Sequence, residues 1–219
     1  MIRFLNKAIL LVFLFIVSVY NVFSQTTHYN LVKLLQQGML DTTAAHETME
    51  IKSKAEKNAI TTKGLIWVRN EEFTKGRIDI DVRGKDIFLQ SFLGVAFYGV
   101  DSLTFDAVYF RPFNFRHTDT LRRKWSVQYF SLPENDYVKL RKEHPSVYEN
   151  AVTPVPDPNS WFHATIVIDD NWVTVYVDHS AIPSLKAPML NKRKTGKIGL
   201  WVSTPGVSGD FANLIIKRQ

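Results

Sequence analysis

The sequence contains no cysteine, and this absence excludes several kinds of protein. Without thiols the chain has neither disulfide bonds nor zinc sites ligated by cysteine. It also has no residue at which a bacterial lipoprotein would carry its lipid anchor. At 219 residues the chain is nevertheless long enough to bury a hydrophobic core, so we expect a fold held together by packing.

The short motifs of several common catalytic sites are missing as well. The sequence has no Gly-x-Ser-x-Gly elbow, no phosphate-binding P-loop and no His-Glu-x-x-His zinc motif. Its charge is only mildly basic, with 27 lysines and arginines against 21 acidic residues, and the one local cluster is residues 192–194. No nucleic-acid-reading module is visible, so we expect no nucleic-acid partner.

The first 24 residues have the composition of a secretory signal peptide. Two cations, Arg3 and Lys7, precede an apolar run at residues 8–17, and Val22 and Ser24 are the small residues before a cut. We therefore predict that residues 1–24 are removed and that the protein is secreted or periplasmic. The alternative is an uncleaved anchor, but the apolar run is shorter than the ~20 residues of a spanning helix. No integral membrane span is expected after cleavage.

From residue 64 onward apolar residues alternate with polar ones, which is the pattern of β-strands. Residues 46–58 fit either a helix or an edge strand with a loop. The strands that we predict are residues 64–68, 78–83, 92–98, 105–111, 125–130, 161–168, 173–178, 197–202 and 210–217. Many short strands without long helices between them predict an all-β jelly-roll sandwich of two antiparallel sheets, as a single domain over residues 25–219.

One insertion, residues 133–158, interrupts this succession of strands. Asn135 or Asp136 can cap a short helix that runs to about Glu143, and Pro145 stops it. An insertion of this length either forms a lid or rim over a functional site or covers the edge of a sheet. Both alternatives stay open from the sequence.

Several segments resemble the concanavalin A-like domains of exported bacterial proteins. Residues 73–86 are similar to an early strand of that superfamily. The later segments that resemble its paired and closing strands are residues 161–167, 172–178, 196–201 and 209–214. The resemblance covers residues 64–217 and extends to laminin-G-like and glucanase-like jelly rolls and to the 3-keto-disaccharide hydrolase group. It implies a carbohydrate-related role, although this fold hosts lectins, glycosidases and adhesion modules alike.

The catalytic Glu-x-Asp-x-x-Glu strand of the glucanases of this fold is absent. Asp79 and Asp81 share one face of a strand, roughly 6.5–7 Å apart along the backbone. Retaining glycoside hydrolysis uses two carboxyl groups about 5 Å apart, so the spacing is permissive. If the protein is an enzyme, we expect Asp79 and Asp81 to be catalytic with His163 as general acid or base. A lone histidine in a strand is more commonly structural.

Residues 106–116 alternate aromatic side chains with Arg111, Asn114 and Arg116. Sugars are bound by aromatic faces together with planar hydrogen-bonding groups, because a pyranose ring has apolar faces and polar edges. This stretch therefore predicts one wall of a glycan groove. In the alternative interpretation the aromatic residues belong to the core and the arginines pair with Asp79, Asp81 or Asp106.

Three further segments contribute residues to the predicted site. Gln128 lies on the next strand, His144 and Tyr148 lie in the insertion, and Trp201 flanks the last turn. The predicted ligand-binding residues are Arg83, Tyr109, Arg111, Asn114, Arg116, Gln128, His144, Tyr148 and Trp201. No metal or cofactor is predicted. Oxygen atoms at residues 169–171 offer a weak calcium alternative, but two adjacent acids in a hairpin are more simply a turn.

Three functions compete at this point. The favoured one is a monomeric lectin-like domain that binds a glycan on its concave sheet face. The second is a glycoside hydrolase or 3-keto-disaccharide hydrolase of the same fold, and whether the protein is an enzyme is left open. The third is a scaffold or adhesion domain without a small ligand.

Overall fold

A computed structural model describes residues 25–41, 52–54, 56–203 and 205–219. The predicted signal peptide, residues 1–24, lies outside the described residues. Residues 46–51 and 55 of the ambiguous segment 46–58 also lie outside them. Across the described ranges, no helix combines the length and the hydrophobicity that crossing a bilayer requires.

Strands dominate the described part of the chain. The strands are β1 (Gln25–Tyr29), β2 (Leu40–Asp41), β3 (Lys52–Lys54), β4 (Ala59–Thr62), β5 (Gly64–Phe73), β6 (Gly76–Arg83), β7 (Leu93–Gly99), β8 (Asp106–Phe110), β9 (Val127–Ser131), β10 (Glu149–Asn150), β11 (Phe162–Ile168), β12 (Trp172–Val177), β13 (Leu185–Pro188), β14 (Gly196–Val202) and β15 (Gly209–Arg218). The α-helices are α1 (Leu31–Gln36), α2 (Pro112–Phe115), α3 (Thr120–Arg123) and α4 (Tyr137–Glu143), and a 3-10 turn spans Glu56–Asn58.

The strands form two antiparallel sheets. Sheet A has the order β13-β12-β11-β6-β15-β4-β3, with β1 also paired to β15, and sheet B has the order β10-β9-β8-β7-β14-β5-β2. The predicted all-β sandwich is confirmed. All nine predicted strands are present, although β5 runs on to Phe73, past its predicted end. In the segment 46–58, the described residues adopt an edge strand followed by the 3-10 turn.

The hydrophobic core lies between the sheets because each strand turns every second side chain inward. In β6, Ile78, Ile80 and Val82 are completely buried, as the alternation in the sequence predicts. Phe110 of sheet B meets Phe162 of sheet A edge to face, with ring centroids 5.1 Å apart. The side chains next to Phe110 along β8 therefore point away from the core, to the outer face of sheet B.

The insertion begins with the predicted helix. The Asp136 carboxylate accepts hydrogen bonds from the backbone N–H groups of Val138 and Lys139, both at 2.8 Å, and α4 ends just before Pro145. The chain then forms β10, which pairs with the outermost long strand of sheet B and places Glu149 opposite Gln128. The insertion thus covers a sheet edge, and its helix lies beside the outer face of the same sheet.

Candidate functional site

A pocket of about 540 Å³ opens on the outer face of sheet B. Its floor is aromatic: the Tyr109 ring lies 5.5 Å from Phe130 and 5.2 Å from Trp201, between ring centroids, and both contacts are edge to face. Trp125, just after α3, and Tyr137, at the start of α4, form part of its walls. Strands β9, β8 and β14 of sheet B and the helices outside the sheet therefore build one concave site.

Arg111 lies at the base of this pocket and is almost completely buried, with 4% of its surface exposed. Its Nη1 donates to the Trp125 carbonyl at 2.7 Å, and its Nη2 contacts the Tyr109 hydroxyl and Gln128 Oε1. The Tyr109 hydroxyl donates to the same Gln128 oxygen at 2.8 Å. The amide of Gln128 donates at 3.4 Å to the carbonyl of Tyr137, which ties the network to α4.

Burial sets the ionisation of this network. It raises the pKa of Tyr109 to about 12, so the phenol keeps its proton at neutral pH. It lowers the pKa of Arg111, whose guanidinium is nevertheless charged at any physiological pH. The base of the pocket is consequently a fixed array of hydrogen-bond donors that carries a positive charge.

A buried carboxylate lies behind Arg111. Glu149, which is 3% exposed, accepts hydrogen bonds from Arg141 Nε at 2.9 Å and Arg141 Nη2 at 2.7 Å. The nearest guanidinium nitrogen of Arg111 is 3.8 Å from the same carboxylate. Arg141 also lies flat over Trp125, with its guanidinium carbon 4.2 Å from the ring centroid. Two arginines thus share one acidic partner at the edge of the pocket.

The structure brings together five of the predicted ligand-binding residues. Tyr109, Arg111, Asn114 and Trp201 line the pocket, and Gln128 supports it from below. Asn114 is 2% exposed and its amide nitrogen donates to the Trp125 carbonyl at 3.3 Å. Its amide oxygen has no hydrogen-bond partner among the described residues.

The other predicted residues of this strand region and the insertion lie elsewhere. Arg116 is on the surface and pairs with Asp157 at 3.1 Å. His144 and Tyr148 contact each other edge to face, 5.8 Å between ring centroids, and neither lines the pocket. Tyr148 is buried against the core residue Tyr129.

The alternative pairing expected for the arginines is wrong. The carboxylate nearest Arg111 belongs to Glu149, and that of Arg116 belongs to Asp157. Asp106 is fully buried and is paired by Arg193 at 2.6 Å. The physical reason is that Asp79 and Asp81 lie on sheet A, on the opposite side of the sandwich.

Asp79, Asp81 and His163 do come together, on the outer face of sheet A. Strands β6 and β11 pair with His163 opposite Asp81. The His163 ring lies between the two carboxylates, with Nδ1 2.8 Å from Asp81 and Nε2 3.3 Å from Asp79. Asp79 is also held by Arg77 at 2.7 Å, and Lys57 lies 2.9 Å from Asp81.

These contacts fix the charges of all three groups. Burial alone would lower the pKa of His163, but the hydrogen bonds to Asp79 and Asp81 raise it to about 9. Burial alone would raise the pKa of the two carboxyl groups. The hydrogen bonds from His163 nevertheless hold the pKa of Asp79 and of Asp81 well below the usual range. At neutral pH both nitrogens of the imidazolium donate to ionised carboxylates. This geometry is an ion-paired clamp that joins two strands of sheet A.

Arg83 belongs to the same side of the molecule. Its guanidinium lies 2.8 Å from Asp210 and 2.9 Å from Glu56, and it stacks over Trp161 at 4.6 Å. The sequence prediction grouped Arg83 with Arg111, but the sandwich places them on opposite outer faces.

The residues of the weak calcium alternative form a turn between β11 and β12. Asp169 accepts hydrogen bonds from the backbone of Asn171 and Trp172, each at 2.8 Å, and Asp170 pairs with Lys75 at 3.1 Å. Within the described ranges, no group of three or more histidine or acidic side chains is arranged to hold a metal ion.

Comparison with known proteins establishes the fold. No protein-family model matches the sequence, and no curated protein matches it either. Among solved structures, the chain is similar to the carbohydrate-binding module CBM66 from Bacillus subtilis, with a TM-score of 0.52 and 13% identity over 77% of this chain and 92% of that one. It is also similar to a Crh5 transglycosylase in complex with NAG, with a TM-score of 0.50 and 11% identity over 88% of this chain and 83% of that one. The chain therefore has the concanavalin A-like jelly-roll fold.

Proposed function

We propose that this protein is an exported carbohydrate-binding domain, and that its glycan site is the pocket on the outer face of sheet B. The observation that carries the proposal is the combination of an aromatic floor with a buried set of polar groups. Trp201 is partly exposed and offers ring surface to the apolar face of a sugar, and the buried ring of Tyr109 supports it from below. Arg111 and Asn114 offer planar hydrogen-bonding groups to its hydroxyls.

The amide oxygen of Asn114, which has no hydrogen-bond partner among the described residues, supports a ligand with hydroxyl groups. A buried acceptor without a partner costs about 1–3 kcal/mol, a cost that a hydroxyl donor would remove. The similar solved structures, one a carbohydrate-binding module and one a transglycosylase in complex with NAG, agree with a glycan ligand.

Binding is favoured over hydrolysis by the state of the carboxyl groups. Asp136 is the acidic residue among the described side chains that line the pocket, and its carboxylate caps α4. Asp79 and Asp81 lie on the other sheet and are ion-paired with His163. A pair of carboxyl groups on either side of a bound sugar is not provided by these residues.

A glycan array combined with an activity screen on glycan pools tests the proposal. The variant Trp201→Ala removes floor surface, and Trp172→Ala is its control, since Trp172 lies on β12 of sheet A and is 39% exposed. We expect Trp201→Ala to weaken glycan binding by about tenfold, the loss for one well-stacked ring, and Trp172→Ala to leave it unchanged.

Two results would overturn the proposal. Turnover of a glycan that disappears in Asp81→Ala, with binding retained, would establish an enzyme whose chemistry lies on sheet A. Absence of both binding and turnover in the folded wild-type protein would favour a scaffold or adhesion domain.

A further inference from the structure

The pocket on sheet B is positively charged. Among the described side chains that line it, Arg111, Arg122 and Arg141 are cationic and Asp136 is anionic. The Asp136 carboxylate is committed to two backbone N–H groups of α4. The charged side chains that line the pocket are therefore mainly arginines.

All three guanidinium groups lie over aromatic rings. The distances from guanidinium carbon to ring centroid are 4.6 Å for Arg111 over Tyr109, 4.7 Å for Arg122 over Phe88, and 4.2 Å for Arg141 over Trp125. The Nε–Nη2 edge of Arg141 is taken by Glu149, whereas Arg122 makes a longer contact, 3.9 Å, with Asp119. A stacked guanidinium is held in position, and an N–H edge without a close partner stays available for an anion. Such edges match the two oxygen atoms of a carboxylate or sulfate.

Among the described residues, no carboxylate lies within hydrogen-bond distance of Arg111. Its hydrogen bonds go to three neutral acceptors, on Trp125, Tyr109 and Gln128. The one nearby carboxylate, Glu149, makes its close hydrogen bonds with Arg141. A charge removed from water is stabilised most strongly by an opposite charge, so an anionic group in the pocket would complete this cluster.

We propose that the pocket recognises an acidic polysaccharide, through the carboxylate or sulfate group of one sugar residue. This inference rests on the proposed carbohydrate-binding function and names the class of glycan. The anionic group lies within reach of the stacked arginines, while the sugar ring packs on Trp201.

The test compares polymers that differ only in charge. Polygalacturonate is matched with its carboxyl-reduced, neutral form, and carrageenan with its desulfated form; polyglutamate controls for a polyanion without sugar. We expect the wild-type protein to bind one acidic polymer at least about tenfold more tightly than its neutral counterpart, as for the gain of one charge-assisted hydrogen bond. Binding to the acidic polymer weakens at high salt.

A pair of arginine variants tests the location. Arg122→Gln removes a guanidinium that lines the pocket, and Arg116→Gln removes an exposed one that pairs with Asp157 outside it. Arg122→Gln should weaken binding of the acidic polymer severalfold more than it weakens binding of the neutral polymer. Arg116→Gln should leave the binding of both polymers unchanged.

The outcomes separate this inference from the proposed function. Equal affinity for an acidic polymer and its neutral form, or binding only of neutral glycans, would overturn the inference and leave the glycan site standing. Binding of polyglutamate as tightly as of an acidic polysaccharide would overturn both, because no sugar would be needed. Binding to none of the acidic polymers would overturn the inference.

Discussion

Arg111 and Glu149 lie 3.8 Å apart beneath the pocket on sheet B, and both are almost fully buried. They are not joined as an isolated pair, because Glu149 makes shorter hydrogen bonds with Arg141. One buried carboxylate thus stabilises two arginines. The strand β10, which carries Glu149, is therefore part of the site as well as a cover for the sheet edge.

Replacing Glu149 by glutamine should destabilise the protein strongly. The variant leaves Arg111 and Arg141 facing each other without a counter-charge, and breaking a buried ion pair in this way costs about 3–5 kcal/mol. Urea denaturation measures the change in unfolding free energy. Asp157→Asn is the control, because it removes the charge of an exposed pair with Arg116, keeps an oxygen that can accept from the Asn159 N–H, and should cost less than about 1 kcal/mol. Equal effects of the two variants would show that the buried cluster has no special role.

The His163 clamp should make stability depend on pH. The pKa of His163 is raised to about 9 in the folded protein, against ~6.5 for an unfolded histidine. Because the folded value is the higher one, the stabilisation is complete below pH ~6.5 and is lost as the pH rises through about 9. Its size is at most roughly 3 kcal/mol. Denaturation at a series of pH values should show the advantage of the wild type over His163→Gln shrinking across this range.

Nuclear magnetic resonance can follow the same histidine directly. We expect the ring signals of His163 to titrate near pH 9 in the wild type and at a lower pH in Asp79→Asn, which removes one carboxylate from the clamp. Asp170→Asn, whose carboxylate pairs with Lys75, is the control and should leave the His163 titration unchanged. A wild-type titration near ~6.5 would contradict the clamp.

Gly94 allows the floor of the pocket to form. It lies opposite Tyr109 on β8 and opposite Trp201 on β14, and a Cβ at this position would come within 2.0 Å of the Val108 carbonyl oxygen. Gly94→Ala should therefore displace β8, cost more than about 2 kcal/mol and weaken glycan binding.

The control for this variant is another glycine. A Cβ at Gly38 would meet no atom of the described residues within 4 Å, although Gly38 has a φ of +68°. Gly38→Ala should cost only about 1 kcal/mol of backbone strain and leave glycan binding intact. Normal glycan binding by a folded Gly94→Ala protein would show that the floor does not depend on this close approach.

The sequence predicts most of the sandwich because alternation reports burial directly. The three aliphatic side chains of β6 and the capping residue Asp136 are found as expected, since each depends on local rules. Strands β2 and β10 have two residues each and leave no periodic signal. β13 has four residues and ends at Pro188. Its pairing with β12 defines it as a strand, because four residues give little periodic signal.

The site is less predictable than the fold. Alternation tells which residues share a face of a strand, but it does not tell which sheet the strand joins. The sequence therefore groups Arg83 with Arg111, although the two residues lie on opposite sides of the sandwich. Arg122 and Arg141 were missed because they project from short helices whose placement depends on tertiary packing. Each stacks on an aromatic ring distant in the sequence, Phe88 or Trp125, so local pattern carries no signal for these contacts.

The location of the ligand is tested most directly by the indole N–H signals of the tryptophans during titration with a bound glycan. Trp125 and Trp201 line the pocket on sheet B, whereas Trp161 and Trp172 lie on the side of sheet A. We predict that the signals of Trp125 and Trp201 shift with saturation while those of Trp161 and Trp172 stay in place. Shifts at Trp161 or Trp172, with Trp125 and Trp201 unchanged, would place the ligand on sheet A and contradict the account.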